Sequence, residues 1–314
     1  MKKYIRHFII FTLPLIVAFS GLEFTLARNF PNVYRTDKTN LEANLDKVQV
    51  LVLGNSHPWM GINPELFDYP GFNLANLGQD LYYDEGLFFK YVDRMPNLRL
   101  VMMGISHHTL EFKFENRKGT NWLSCLYLRE FGIFPQDPFY ISKFDYCVLA
   151  MMGGNNPFNN ILSWQENVNI YGSNNVVNAF GWATLKNRPK IIKPEEAKNR
   201  VQGLNSMTDQ KLLTVNLQRL ERIQQKLQQR NIQLVLVTVP VTKYYFDSIT
   251  PDRYERMQNA LREFSKKYDV PYYNYLNDAS FDLTDFYNSG HLDVQGSKKF
   301  TQILNTQILQ QYIR

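Results

Sequence analysis

A serine at the turn that closes a buried strand and a histidine on a distant loop are the two side chains best suited to do chemistry. Gly54-Asn55-Ser56-His57 follows the apolar run Val48-Gln49-Val50-Leu51-Val52-Leu53, and Asp285-Phe286-Tyr287-Asn288-Ser289-Gly290-His291-Leu292 lies far downstream. A serine hydroxyl is a weak nucleophile at neutral pH and needs a base within hydrogen-bond reach, which itself needs an orienting group. Ser56 has the position of a nucleophile and His291 that of its base. Taken alone, Gly-Asn-Ser-His also reads as helix-capping chemistry. The pairing with His291 turns the reading toward a nucleophile. His57, His107 and His108 are further imidazoles, the last two expected to point apart if they continue a strand. No set of three histidines or carboxylates has ligand spacing, so no metal centre is expected.

Both residues need a sheet edge to hold them. The run 48–53 is almost continuously apolar, the pattern of a parallel strand covered by helices on both faces. Asn63-Pro64 opens a short capped helix, 72–78 reads as a short strand ending at Gly78, 84–94 as a helix capped by Asp84, and 98–104 as another strand. After residue 208 the alternation returns: a helix over 208–229, a strand over 232–239, a helix from Pro251 to about 267, a strand over 270–275 and a last helix over 294–313. Such alternation predicts an α/β fold with a central parallel sheet. Ser56 and the 285–291 loop then lie at the same carboxyl edge, where such sheets build their sites.

Between about 113 and 207 the rhythm breaks into an irregular, Asn-, Gly- and aromatic-rich insertion, with Gly153-Gly154-Asn155-Asn156-Pro157-Phe158 as its extreme. Long irregular segments inside compact domains are usually functional. Its aromatics suit either a sugar- or lipid-facing groove or a small satellite core. Cys125 and Cys147 are the two cysteines, far from the chemistry. An oxidising compartment permits their pairing, and two buried thiols are the alternative.

The amino terminus sets the compartment. Lys2, Lys3 and Arg6 precede an apolar stretch from Phe8 to Leu22 that continues through Phe24 and Leu26. An uncleaved membrane anchor over residues 1–28 is favoured over a removed signal peptide, and the basic head keeps the amino terminus inside. The polar residues 29–46 suit a tether, so the folded domain is expected to run from 47 to 314. This predicts a single-pass protein of the cell membrane with an extracytoplasmic domain. A net charge of +6, from 35 Lys+Arg against 29 Asp+Glu, with no strong basic block, argues against nucleic-acid partners.

Gly54-Asn55-Ser56-His57, Asn76-Leu77-Gly78 and Asn288-Ser289-Gly290-His291-Leu292, in this order, resemble the spaced blocks of the SGNH/GDSL hydrolase superfamily. The similarity is closer to its membrane-anchored branch, which includes the D-alanine transfer protein of teichoic-acid synthesis and the alginate O-acetylation proteins. It covers roughly 47–112 and 209–314. The resemblance implies a three-layer, flavodoxin-like fold, Ser56 as nucleophile, His291 as base, and the N–H groups of Ser56 and Gly78 as oxyanion-hole donors. It also implies an acyl group, acetyl by preference, passed to or from a cell-envelope glycan or acylated lipid, a membrane protein as acyl donor, and no soluble cofactor. An esterase of the same fold and a non-catalytic glycan-binding or assembly protein are the alternatives.

Two departures from the family pattern bear on the site. Its aspartate three residues before the histidine is here Asn288, with Asp285 able to substitute by chemistry. Its Gly-x-Asn-Asp block is here Gly104-Ile105-Ser106-His107, which leaves Ser106 or His107 as stand-in donors.

Overall fold

The computed structural model describes residues 1–29, 32–116, 123–137, 175–185 and 192–313. Five strands, β1 (Val50–Gly54), β2 (Gly71–Asn73), β3 (Leu100–Gly104), β6 (Gln233–Thr238) and β7 (Tyr272–Asn274), form one parallel sheet in the order β2-β1-β3-β6-β7. Two short antiparallel ladders complete the numbering: β4 (Asn175–Val177) with β5 (Ala183–Leu185), and β8 (Phe286–Asn288) with β9 (His291–Leu292). The order reverses between β1 and β3, the point where doubly wound sheets open a crevice at their carboxyl ends. In-register pairing aligns Gly54 of β1 with Gly104 of β3, so the turns after both strands emerge side by side.

Alternate side chains of the sheet feed two hydrophobic layers, as the two-residue strand period requires. Leu51, Leu53, Val101, Met103, Leu234 and Leu236 face one core, together with residues of α4 (Leu81–Tyr91), α6 (Leu212–Gln228) and α8 (Pro251–Tyr268). Val50, Val52, Leu100, Met102, Val235 and Val237 face the other, closed by Phe300 and Leu304 of α9 (Val294–Leu304). The result is the expected three-layer α/β architecture with a flavodoxin-like strand order.

An amino-terminal helix, α1 (Lys2–Asn29), precedes this body, and its residues 2–25 have a mean hydropathy of 1.9. It is long and apolar enough to cross a membrane, and the apolar side chains between residues 4 and 24 are exposed. Glu23 near its end pairs with Arg129 at 3.3 Å.

Several expectations change. Residues 29–46 are not simply a tether: α2 (Val33–Glu42) is capped by Asn32 and buries Tyr34, Asp37 and Leu41 in the first core. Its polar composition hides it, because only one narrow stripe is covered. Asp84 does not cap α4; Asp80 does, accepting from the N–H groups of Tyr82 and Tyr83, while Asp84 sits buried one turn inside. The strand at 72–78 is shorter, and the last helix passes into a π-helical turn, Asn305–Leu309. The described parts of the 113–207 insertion belong to the folded body: Phe114, Leu126, Tyr127 and Phe131, with Ala197 and Val201 of α5 (Pro194–Asn205), lie in the first core. The Gly- and Asn-rich stretch around 153–160 lies outside the described residues. Cys125 is buried, and Cys147 lies outside them too, with the expected pairing.

Candidate active site

Ser56 is the first residue of α3 (Ser56–Gly61), a single helical turn that begins directly after β1. Gly54 permits this turn: its φ is +129°, and a Cβ there would lie 2.6 Å from the Gly104 carbonyl oxygen and 2.8 Å from Pro58 Cγ. Only glycine adopts such a backbone without strain. Asn55 caps the helix, its Oδ1 accepting from His57 N–H at 3.0 Å. Its Nδ2 donates to Ser106 Oγ at 2.9 Å and Thr109 Oγ1 at 3.2 Å, tying the turn after β1 to the turn after β3. Asp84 completes the support, accepting from Gly54 N–H at 2.8 Å and from Gln79 at 2.6 Å. Burial pushes its carboxyl up to about 7.

His291 starts β9, the second arm of the small β8/β9 ladder. The loop between the arms is held by α7 (Lys243–Asp247) and its cap: Thr242 N–H and Oγ1 both donate to the Ser289 carbonyl, at 3.0 and 2.9 Å. From there His291 Nε2 lies 2.8 Å from Ser56 Oγ, across 235 residues of sequence. On its other side Nδ1 lies 3.0 Å from Asn288 Oδ1. The same Oδ1 accepts from the backbone N–H groups of Gly290 at 3.0 Å and His291 at 3.1 Å. Those two amides can bond only to an oxygen, so the amide group of Asn288 is oriented with Oδ1 toward the ring. Nδ1 must then carry the ring proton, and Nε2 is left as the acceptor for the serine hydroxyl. Backbone geometry thus sets the tautomer even though the partner is an amide.

Asp285 takes no part in this chain of bonds. Its carboxylate accepts from Asp282 N–H and pairs with Lys299 at 2.9 Å, building the turn that leads into β8. Asp285 is therefore corrected from a substitute orienting residue to a loop-building one. Ser106 and His107 also turn away from the expected donor role. Ser106 is spent on Asn55, and His107 bonds Tyr245 Oη at 3.1 Å and Asn205 at 3.2 Å.

Ser56, His57, Gly78, His108, Arg200 and His291 line one small cavity of about 120 Å³. Its remaining walls are largely apolar, with Leu77, Phe112, Leu204 and Met207. Gly78, with φ of +70°, turns its backbone into this space. Among the described residues, neither the Ser56 nor the Gly78 N–H has a protein acceptor. Burial, then the nearby His57 and Arg200, hold His291 well below the ordinary imidazole range, so it is neutral and basic-ready at neutral pH. Sequence reasoning did not assign roles to His57, His108 or Arg200. Arg200 belongs to α5 within the irregular insertion, where no motif marks it.

No family model matches the chain, and no curated protein matches it. Solved structures similar to it include three described by name. A provisionally assigned acylhydrolase from Bacteroides fragilis is 12% identical, with 90% of this chain and 98% of that one covered and a TM-score of 0.43. A GDSL-like lipase from Bacteroides thetaiotaomicron is 11% identical over 88% and 98%, with a TM-score of 0.40. A protein provisionally described as a platelet activating factor, from Streptococcus pneumonia, is 13% identical over 93% and 98%, with a TM-score of 0.40.

Proposed function

We propose that this chain is a membrane-anchored, SGNH-type serine acyltransferase that moves short acyl groups, acetyl above all, on cell-envelope polysaccharide. The observation that carries the reading is the bonded series Ser56 Oγ, His291 Nε2, His291 Nδ1 and Asn288 Oδ1. Ser56 attacks the acyl carbonyl carbon while its proton passes to His291 Nε2. The carbonyl electron pair moves onto oxygen, beside the N–H groups of Ser56 and Gly78. When the tetrahedral species collapses, the bond to the leaving oxygen breaks and His291 returns the proton to it. An acceptor hydroxyl then repeats the sequence in reverse.

The size of the cavity supports a short acyl group. The cavity beside Ser56 is small, about 120 Å³, and its walls are largely apolar, which favours a short acyl group over a long one. Residues 1–25, with a basic head before the apolar span, support an anchored protein whose domain lies outside the cytoplasm. The membrane itself, an envelope glycan or acylated lipid, and a membrane protein delivering the acyl group are the partners of this reading.

The test uses the full chain in detergent with an activated acetyl ester. Turnover is expected to rise when a glycan acceptor is added, with acetyl appearing on the sugar. Release of acetate alone, unchanged by any acceptor, would point to the esterase.

A further inference from the structure

His57 is an unexplained feature of the cavity. It is 3% exposed and lines the same space as Ser56 and His291. Its Nδ1 is buried without a hydrogen-bond partner, and its Nε2 bonds no other described residue either. A buried polar atom left unpaired is costly, so a fold that keeps one beside Ser56 is holding it for something absent from the resting protein. The ring is fixed by aromatic edges: its centroid lies 5.1 Å from His291, 5.8 Å from Tyr245 and 6.2 Å from His108. Burial first, with His107 and Arg200 adding to it, lowers its pKa to about 3. The imidazole is therefore neutral, with one N–H donor and one lone pair.

Resting on the serine reading above, we propose that His57 is a catalytic residue whose neutral imidazole N–H donates a hydrogen bond to the substrate carbonyl oxygen as it becomes an oxyanion. The ester oxygen brings only lone pairs to the cavity, so its partners there must be donors. His291 Nε2 is committed to the Ser56 hydroxyl as acceptor, which leaves it no N–H to offer at the moment of attack. Ser56 fixes the attacked carbon, and the His57 ring borders the same cavity with its centroid 5.1 Å from that of His291, whose Nε2 is 2.8 Å from Ser56 Oγ, so His57 lines the space in which the oxygen develops. No proton is transferred from His57: the bond forms as negative charge gathers on the oxygen and is released when the carbonyl re-forms. A neutral donor has an advantage over a cation here, since a second positive charge would oppose protonation of His291 in the same step.

The experiment compares wild type, His57→Gln, His57→Asn and His57→Phe as full chains in detergent, with an activated acetyl ester and a serine-directed fluorophosphonate. His57→Phe keeps the planar shape and removes the donor. It is expected to lower kcat and kcat/KM together by about 10²- to 10³-fold, the usual cost of one oxyanion donor, with KM unchanged. At least one amide variant is expected to recover tenfold or more of that loss, at a melting temperature no higher than that of His57→Phe. A merely structural role would instead lower the melting temperature of His57→Phe and give no recovery by amides. Activity of His57→Phe within threefold of wild type, amide variants as poor as Phe, or a change confined to KM would each overturn the assignment. Should His57→Phe not fold, the two amides against wild type decide it, since loss of more than 100-fold in both contradicts a donor role. Absence of Ser56 labelling in the wild type is a separate result, which overturns the serine reading and this proposal together.

Discussion

Asn288 is where the site departs from a serine–histidine–carboxylate series, and the surrounding backbone fixes the orientation of its amide. In a serine protease, replacing the carboxylate by an amide costs about 10⁴-fold because the ring is held in the wrong tautomer. Here the Gly290 and His291 N–H groups fix Oδ1 toward Nδ1, which keeps the correct tautomer without a negative charge. Asn288→Ala is expected to lower kcat/KM by at least about 10²-fold, and Asn288→Asp to retain activity; steady-state rates on an activated acetyl ester check both. Burial sets the pH response. His291 acts only when neutral, and burial with His57 and Arg200 nearby depresses its pKa, so proton uptake occurs below the usual 6.5. The acid limb of kcat/KM is therefore expected below pH 6.5, and Asn288→Asp is expected to move it upward; a wild-type limb at or above 6.5 would contradict this. The meeting of Ser56, His291 and Asn288, with Gly78 beside the same cavity, agrees with the sequence reading, because Ser56 and the 285–291 loop both follow strands to one sheet edge. Asp285 was misread since a carboxylate close in sequence says nothing of which way a turn aims it. His57 carried no signal apart from being next to Ser56.

At the scale of elements, the position of Ser56 depends on two glycines that let strands β1 and β3 end in contact. Pro58 of α3 fills the space above both: a Cβ at Gly104 would lie 2.4 Å from Pro58 Cγ, and at Gly54 2.8 Å. Gly54→Ala would face both this clash and a φ of +129°, a region that side-chain-bearing residues enter only at a cost of about 1–3 kcal/mol before any clash. It is expected to lower the melting temperature by several degrees and to abolish Ser56 labelling even where the chain still folds, because α3 must shift. Unchanged labelling would show that the turn is more tolerant than its geometry implies. The alternating elements were readable because buried parallel strands are continuous apolar runs. Boundaries moved where a cap was chosen between neighbouring acids: Asp80 caps α4, and Asp84, four residues later, is drawn inside to hold the Gly54 amide.

At the scale of the whole molecule, α1, α2 and the α/β body are continuous. Arg35 of α2 donates to the Arg28 carbonyl and pairs with Glu130 at 2.8 Å, while Arg129 pairs with Glu23 of α1. Leu41 is fully buried in the larger core, so Leu41→Ala is expected to cost about 2–5 kcal/mol, read as a lower denaturation midpoint. Removing residues 1–46 should destabilise the body in the same way, whereas removing 1–28 should leave it folded. A mutant at Leu41 with wild-type stability would restore the simple tether. This region was opaque in the sequence because a helix with one narrow buried stripe looks polar throughout.

The most direct measurement is the intact mass of the full chain after a brief reaction with an activated acetyl ester, alongside Ser56→Ala and His291→Ala. One acetyl group carried on Ser56 of the wild type, absent from Ser56→Ala and slowed by orders of magnitude in His291→Ala, is the expected result. A wild type that gains no acetyl, or that gains it equally in Ser56→Ala, would contradict a serine-dependent acyl transfer at this site.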